Sequence, residues 1–475
     1  MAQARAITSL SMPRVQVIAP THLGETAVAA LRARGIDARR SDTPGDEVIA
    51  WALDDIPAAR AAVDLAQTCA RAAAAGRPVC LLAPLPRGGT SQQAIVRAAA
   101  LAYLRAHGAA VGHDVDAWLE AVVALCRFGM PTGPHAAVIA PQGSWLEAQA
   151  LAIAVEAEAN GLRPPHVGKP GKEEPTDVVL YDPSLEPGHS PRLQIPVIAR
   201  GELGDDGAGA LYGARAALGA IEMLGRAAER IAVGLGPAPQ SASAELETNG
   251  ELLQRQLVRV AHWQWQRLGD HEIKVLLKAY GVPITRQLTA STPSAAVKAA
   301  RKISYPVELK PYGNDLPTET AGCPVERGIT SDAFVRRAFA AVLVAAGRTP
   351  TRTYSGDVIV RETPPLGRDI AVVLQKLPVL GWTVVVDAPG ATQLAAAPAP
   401  LRLVDAQTLA ATVVASRATD PDPDRAGLAN LLRRASHLVV DLDDRITRLE
   451  LPRVVVGGRG ARTVVVDAWC ELVSD

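Results

Sequence analysis

From residue 14 to residue 233, short apolar runs alternate with alanine-rich segments of helical spacing, and this rhythm constrains the chain more than any other feature. RVQVIAP at 14–20 reads as a strand, and AVAALRARG after it reads as a helix whose Gly35 suits a C-cap. The alternation continues through helical DIPAARAAVDLAQTCARAAAAG, the strand PVCLLAP at 78–84, and helical QQAIVRAAALAYLRAHG and DVDAWLEAVVALC. Strands joined by helices must pair in parallel with both faces covered, so an α/β sheet is expected. A Gly/Pro break, GMPTGP at 129–134, opens a second run of the same kind. It comprises AAVIAP, helical SWLEAQALAIAVEAEANG, DVVLY, IPVIA and a helix from about 207 to 233. RPPHVGKPGKEEP within it is polar and proline-rich and reads as a surface loop, and PAPQSASAE at 237–245 reads as an interdomain linker.

Beyond the linker the texture changes. Helices HEIKVLLKAYG, PSAAVKAARKIS and DAFVRRAFAAVLVAAG are interspersed irregularly with strands YPVELKP, DVIVRE, RDIAVVLQ and WTVVVD. TRLELPRVVVG and ARTVVVDAW close the chain as an expected antiparallel pair, so this part reads as α+β. The expected division is a first domain at 14–130, a second at 134–236, a linker at 237–247 and a third domain at 248–475. Hydrophobic residues make up 48% of the chain but aromatics only 4%, so its cores must be filled by Ala, Val and Leu.

Charge and cysteine usage narrow the function. Lys plus Arg and Asp plus Glu both number 49, with no long block of one sign, which disfavours a nucleic-acid partner. Five scattered cysteines without a CxxC pair argue against a disulfide framework or zinc site and for a reducing cytoplasm. No stretch approaches the roughly 18 apolar residues of a membrane helix, and no basic-then-apolar leader is evident, so membrane spanning and export are not expected.

LLKAYGVPITRQ, AAVKAARKISYPVELK and LANLLRRASHLVVD through VVVDAWCEL together resemble the ATP-grasp domain of NDP-forming acyl-CoA synthetases and the related succinyl-CoA synthetase β subunits, in one register over 248–475. The segment from VQVIAPTHLGETAVAALRARG through Gly45, Asp46 and Glu47 resembles the start of that family's first CoA-ligase domain. GPHAAVIAPQGSWLEAQALAIAVEAEANGL resembles the second, with Gln142, Gly143 and Ser144 in place of its glycine pair. The resemblance implies two flavodoxin-like, CoA-ligase-like parallel-sheet domains followed by an α+β ATP-grasp domain. Full-length members of that family also carry a CoA-binding domain in front of these, which the chain is expected to lack.

The family passes phosphate from an acyl-phosphate to a histidine and on to a nucleotide diphosphate, which needs an exposed imidazole on a loop near a helix N-terminus. No His-Thr-Gly occurs in the sequence, and in RGGTSQQAIVRAAALAYLRAHGAAVGHDVDAW the segment carrying it is missing. His107 and His113 are expected to be structural, so no catalytic residue is assigned. For nucleotide, the resemblance puts Lys310 on the phosphates, Glu362 near the ribose and Asp369 where relatives have Glu. For Mg²⁺ it keeps Asp467 but reads Pro452-Arg453 where relatives have a ligating Asn-Pro. The family's His-Lys-Ser-Asp-x-Gly-Gly loop becomes Thr318-Glu319-Thr320-Ala321-Gly322-Cys323-Pro324, where Pro324 has no N–H for phosphate. A later Gly-rich loop is shortened to DAPGATQLAAAP without its acidic residue.

Two functions follow. One is a catalytically degenerate synthetase relative that acts as a binding, regulatory or assembly protein, with ATP and Mg²⁺ bound weakly or not at all and a protein partner or oligomer in view. The other is an active ATP-dependent acid–CoA ligase subunit working with a CoA-binding chain. Trp118, Trp145 and the pair Trp263/Trp265 are candidate interface residues, with the core as their alternative place.

Overall fold

The structure is a computed structural model and describes residues 14–85, 91–159, 164–170, 176–185, 192–199, 209–239, 246–263, 266–347, 356–388, 394–413, 423–458 and 460–473. The chain divides into two compact units, residues 14–85 with 100–236, and residues 91–99 with 237–473. Residues 86–90, most of the linker (240–245), residues 389–393 of the shortened loop, Trp265 and the Trp263 side chain lie outside the described residues.

The first unit holds two five-stranded sheets. In one, β1 (Val15–Ile18), β2 (Ala38–Arg40), β3 (Val48–Ala52), β4 (Cys80–Leu82) and β5 (Ala110–Gly112) are ordered β2-β1-β3-β4-β5, and every pairing is parallel. Helices α1 (Thr21–Ala33), α2 (Ala59–Ala74) and α4 (Val115–Arg127), with the part of α3 (Gln92–Ala106) from residue 100 onward, alternate with these strands. The other contains β6 (Ala136–Ile139), β7 (His166–Val167), β8 (Val178–Tyr181), β9 (Leu193–Ile198) and β10 (Leu211–Tyr212), ordered β10-β9-β8-β6-β7 and again parallel. Both orders are the 2-1-3-4-5 winding of flavodoxin-like sheets, as expected. The additions are short strands. Residues 166–167 form an edge strand inside the segment read as a loop. The helix expected from about 207 begins only at Ala214 (α6, Ala214–Val233), because β10 and Gly213 at φ 76° precede it. α5 is Trp145–Ala159.

One apolar cluster includes residues of both sheets, of α4 and of α6, and small side chains let these elements close up. A Cβ at Gly225 of α6 would stand 2.4 Å from the Gly133 carbonyl, so only glycine permits that approach. Trp118 is fully buried and its indole N–H donates to the Cys80 carbonyl at 2.9 Å, which makes it core and removes it from the interface candidates. Trp145 packs half-buried on the same cluster. A buried ion pair stitches the unit further. Arg34 donates to Glu120 at 2.8 Å, Tyr212 N–H donates to the same carboxylate at 3.0 Å, and the guanidinium stacks 3.7 Å over the Tyr212 ring.

The second unit is antiparallel and mixed. β12 (Gln287–Ala290), β13 (Val307–Pro311), β14 (Glu326–Ile329) and β15 (Val358–Glu362) form a sheet ordered β12-β15-β13-β14. Helices α9 (Pro293–Ile303) and α10 (Asp332–Ala346) pack on it. Both start on sequence-encoded caps, Thr292 followed by Pro293, and Ser331. β11 (Arg267–Leu268), β16 (Gly367–Leu377), β17 (Gly381–Asp387), β18 (Ala395–Pro398), β19 (Ile446–Gly457) and β20 (Val464–Leu472) form a sheet ordered β11-β20-β19-β16-β17-β18. The expected antiparallel pair is β19–β20. Helices α8 (Asp270–Ala279), α11 (Leu403–Val413) and α12 (Arg425–Asp441) share this sheet's core, with α7 (Gly250–Trp263) partly buried against it. No helix among the described residues is long and apolar enough to cross a membrane.

Replacing Glu120 by Ala leaves the buried Arg34 cation without its carboxylate. A loss of about 3–5 kcal/mol in the urea-unfolding free energy of the first unit is expected, and a change within error of zero would show that the pair is dispensable.

Candidate functional site

Strand alternation creates the site. On β13 and β15, Val307, Leu309, Val358 and Val360 face the helices, so Glu308, Lys310 and Arg361 project from the opposite face. Glu308 stands directly across from Arg361, and the guanidinium donates to its carboxylate at 2.5 and 3.0 Å. β20 contributes Asp467, and the first turn of α8 contributes Asp270 and, four residues on, Lys274.

These side chains converge with almost no exposure to solvent. The Lys310 ammonium lies 2.8 Å from Asp467 and 3.3 Å from Asp270. Lys274 donates to Asp270 at 3.2 Å, to Thr285 and Gln287 at 3.0 Å each, and to the Val466 carbonyl at 2.7 Å. A 3₁₀ turn, Glu319–Ala321, caps the group: its Glu319 N–H donates to Asp467 at 2.8 Å. The Glu319 carboxylate accepts from Arg361, pairs with Arg327 at 3.0 Å and Arg453 at 3.4 Å, and lies 3.9 Å from Lys310.

The environment sets each charge. Burial works against the Lys310 ammonium, but Asp270 and Asp467 outweigh it and raise the lysine above its ordinary range. Burial also opposes the Asp270 carboxylate, yet Lys274 and Lys310 hold it well below the usual range. At Lys274 burial prevails over Asp270 and brings the ammonium down to about 8. Glu319 resists its own burial through Arg361, Lys310 and Arg453 and is held at about 2. Beside Lys310, Asp270, Asp467, Thr318 and Cys323 lies a cavity of ≈20 Å³, room for about one water.

Of the four residues assigned from sequence, Lys310 and Asp467 meet directly. Asp369 joins at the rim, half exposed, through Arg453, which reaches both it (3.3 Å) and Glu319. Glu362 lies outside the cluster, where its carboxylate accepts from the backbone N–H and side chain of Arg286 at 2.9 and 2.7 Å and from Arg462. Asp270, Lys274, Glu308 and Arg361 were not assigned from sequence. The signal for them was present as charges alternating with valine and leucine in VELKP and VIVRE, and as Asp270 and Lys274 at helical spacing. Among the described residues no three His, Cys, Asp or Glu side chains converge as a metal site. His107 and His113 hold the backbone carbonyls of Tyr103 and Ala83 at 2.7 Å each, and burial lowers both below the ordinary histidine range.

Residues 260–472 match the family model described as an ATP-grasp domain. Acetate–CoA ligase [ADP-forming] II subunit beta of Pyrococcus furiosus is 26% identical over 210 residues, 42% of this chain and 89% of that protein. 4-Hydroxybutyrate–CoA ligase [ADP-forming] of Nitrosopumilus maritimus is 24% identical over 208 residues, 42% of this chain and 30% of that protein, so the chain spans less than a third of this longer relative. Among solved structures, a dinucleotide-forming acetyl-coenzyme A synthetase from Ca. Korarchaeum cryptofilum aligns at 24% identity over 46% of this chain and 99% of that chain, with a TM-score of 0.42. Residues 260–472 are an ATP-grasp domain, and its homologues are ADP-forming acyl-CoA ligase subunits.

Proposed function

We propose that this chain is a catalytically degenerate relative of the ADP-forming acyl-CoA ligases, a binding, regulatory or assembly protein whose nucleotide site is closed by its own side chains. In this reading 14–130 and 134–236 are two ligase-like domains, 237–247 is the linker and 248–475 the ATP-grasp domain. Lys310, Glu362 and Asp369 mark the former nucleotide site and Asp467 the former Mg²⁺ site. The five free, buried cysteines support a reducing, cytoplasmic setting.

One observation carries the proposal. Five cations (Lys274, Lys310, Arg327, Arg361, Arg453) are matched by five carboxylates (Asp270, Glu308, Glu319, Asp369, Asp467) in one linked set of ion pairs. A triphosphate needs surplus positive charge and Mg²⁺ needs surplus carboxylate, and the set offers neither. Arg453 puts a fixed cation where the resemblance calls for a metal ligand, and it fits the carboxylates present better than it would fit a metal beside them. Were nucleotide and Mg²⁺ to bind, Lys310 would face the phosphates and Asp467 the metal, and their 2.8 Å bond would first have to break. The relative named as a β subunit favours one further role, docking to a partner subunit.

Calorimetric titration of the purified chain with Mg-ATP and Mg-GTP is expected to show no micromolar binding. Micromolar binding that Lys310→Ala abolishes would overturn this reading in favour of an active ligase subunit completed by a CoA-binding chain.

The ion pairs also set a pH dependence. Because the folded chain lowers Glu319 from 4.5 to about 2, its stabilisation is complete above pH 4.5 and is lost as pH falls towards 2. Asp270 acts in the same direction. At about 1.4 kcal/mol per pK unit, the Glu319 contribution is about 3 kcal/mol. The stability difference between the wild-type chain and Glu319→Gln in urea unfolding should be about that size at pH 7 and should vanish near pH 2. A difference independent of pH would show that the loss is one of packing.

A further inference from the structure

Building on the closed site just described, we propose that Glu319 is an internal anion that occupies the cation set meant for a phosphate group, so that the turn carrying it is an autoinhibitory latch over a phosphate-binding site. The carboxylate is the one group that touches all four of Lys310, Arg327, Arg361 and Arg453. Four cations within reach of a single acid resemble the surroundings of a bound phosphate, which offers several acceptor oxygens to such donors. A lone carboxylate has fewer acceptors to share among them. Each of the other acids has its own partner: Asp467 holds Lys310, Asp270 holds Lys274, Glu308 holds Arg361, and Asp369 holds Arg453. Removing Glu319 therefore leaves five cations facing four carboxylates, one positive charge in excess, and one of those cations, Lys310, lines the small cavity.

The segment is built so that this acid can withdraw. Thr320, Ala321 and Gly322 are exposed while the Glu319 side chain is 3% exposed, so a solvent-side turn sends one charged group inward. The turn closes on itself through Ala321 N–H and Cys323 N–H to the Thr318 carbonyl, at 3.0 Å each, and Gly322 takes the left-handed conformation at φ 96°. The Glu319 carboxylate and the Glu319 N–H on Asp467 tie it to the cluster, and Leu316 and Cys323 anchor it in apolar surroundings. Lifting it exposes little apolar surface.

The ligand class is a phosphate-bearing anion, either free or part of a nucleotide. The test titrates wild-type, Glu319→Ala and Glu319→Gln chains with inorganic pyrophosphate and, separately, with ATP without Mg²⁺, after thermal melts confirm folding. The expected result is pyrophosphate binding at least about tenfold tighter to Glu319→Ala than to wild type, and lost again when Arg361→Gln is added. ATP binding as strongly as pyrophosphate assigns the site to free and nucleotide phosphates alike, and ATP binding more strongly assigns it to nucleotide. If neither variant binds pyrophosphate or ATP better than a non-binding wild type, the latch is overturned while the closed-site reading stands. If wild type already binds both as tightly as the variants, both fall. Should Glu319→Ala not fold, Glu319→Gln decides on the same outcomes, because it keeps the side-chain volume and the N–H on Asp467 and removes only the charge.

Discussion

The bond between Lys310 and Asp467 joins the two sheets of the ATP-grasp unit, since Lys310 stands on β13 of the four-stranded sheet and Asp467 on β20 of the six-stranded one. Taking an ammonium and a carboxylate out of water costs several kcal/mol for each ion. The chain offsets that cost by surrounding each charge with others: Asp270 serves both lysines, Glu319 serves four cations, and the Val466 carbonyl takes hydrogen bonds from Lys274 and Arg361. Most members are therefore held by more than one partner.

This arrangement explains why both Lys310, retained by resemblance, and Arg453, which departs from it, belong to one design. In the proposed reading, Lys310 and the carboxylates around it, which the resemblance gives to phosphate and metal, become structural because side chains replace the ligands' charges. On the same proposed reading, Arg453 supplies the positive charge of a cation and Glu319 the negative charge of a phosphate. The fold is retained because the hydrophobic faces of the sheets, built from Val, Leu and Ala, do not depend on what occupies the polar face.

The twin parallel sheets of the other unit were legible because apolar runs of three to six residues separated by helices admit few alternatives. Their shortest strands escaped notice. Ala38–Arg40, His166–Val167 and Leu211–Tyr212 carry two or three residues each, too few for a period, and the sheet edge alone gives them their conformation. Trp118 illustrates the same limit, because an aromatic residue on an amphipathic helix reads equally well as core or interface until the packing of α4 on the sheet is known.

The sequence by itself determined the alternation of strands and helices, the ATP-grasp resemblance and the substitutions at 318–324 and 452–453, because each of these is local in the chain. Only the tertiary structure decided which charges meet. Asp270 and Asp467 are separated by almost two hundred positions yet share Lys310, Glu362 turned to Arg286 while its neighbour Arg361 turned to Glu308, and Glu319 became the centre of four cations. The reason is physical: a strand fixes the face on which a side chain lies, but the partner of a buried charge is set by whichever opposite charge the packing of distant elements places within about 4 Å, and no local pattern encodes that distance.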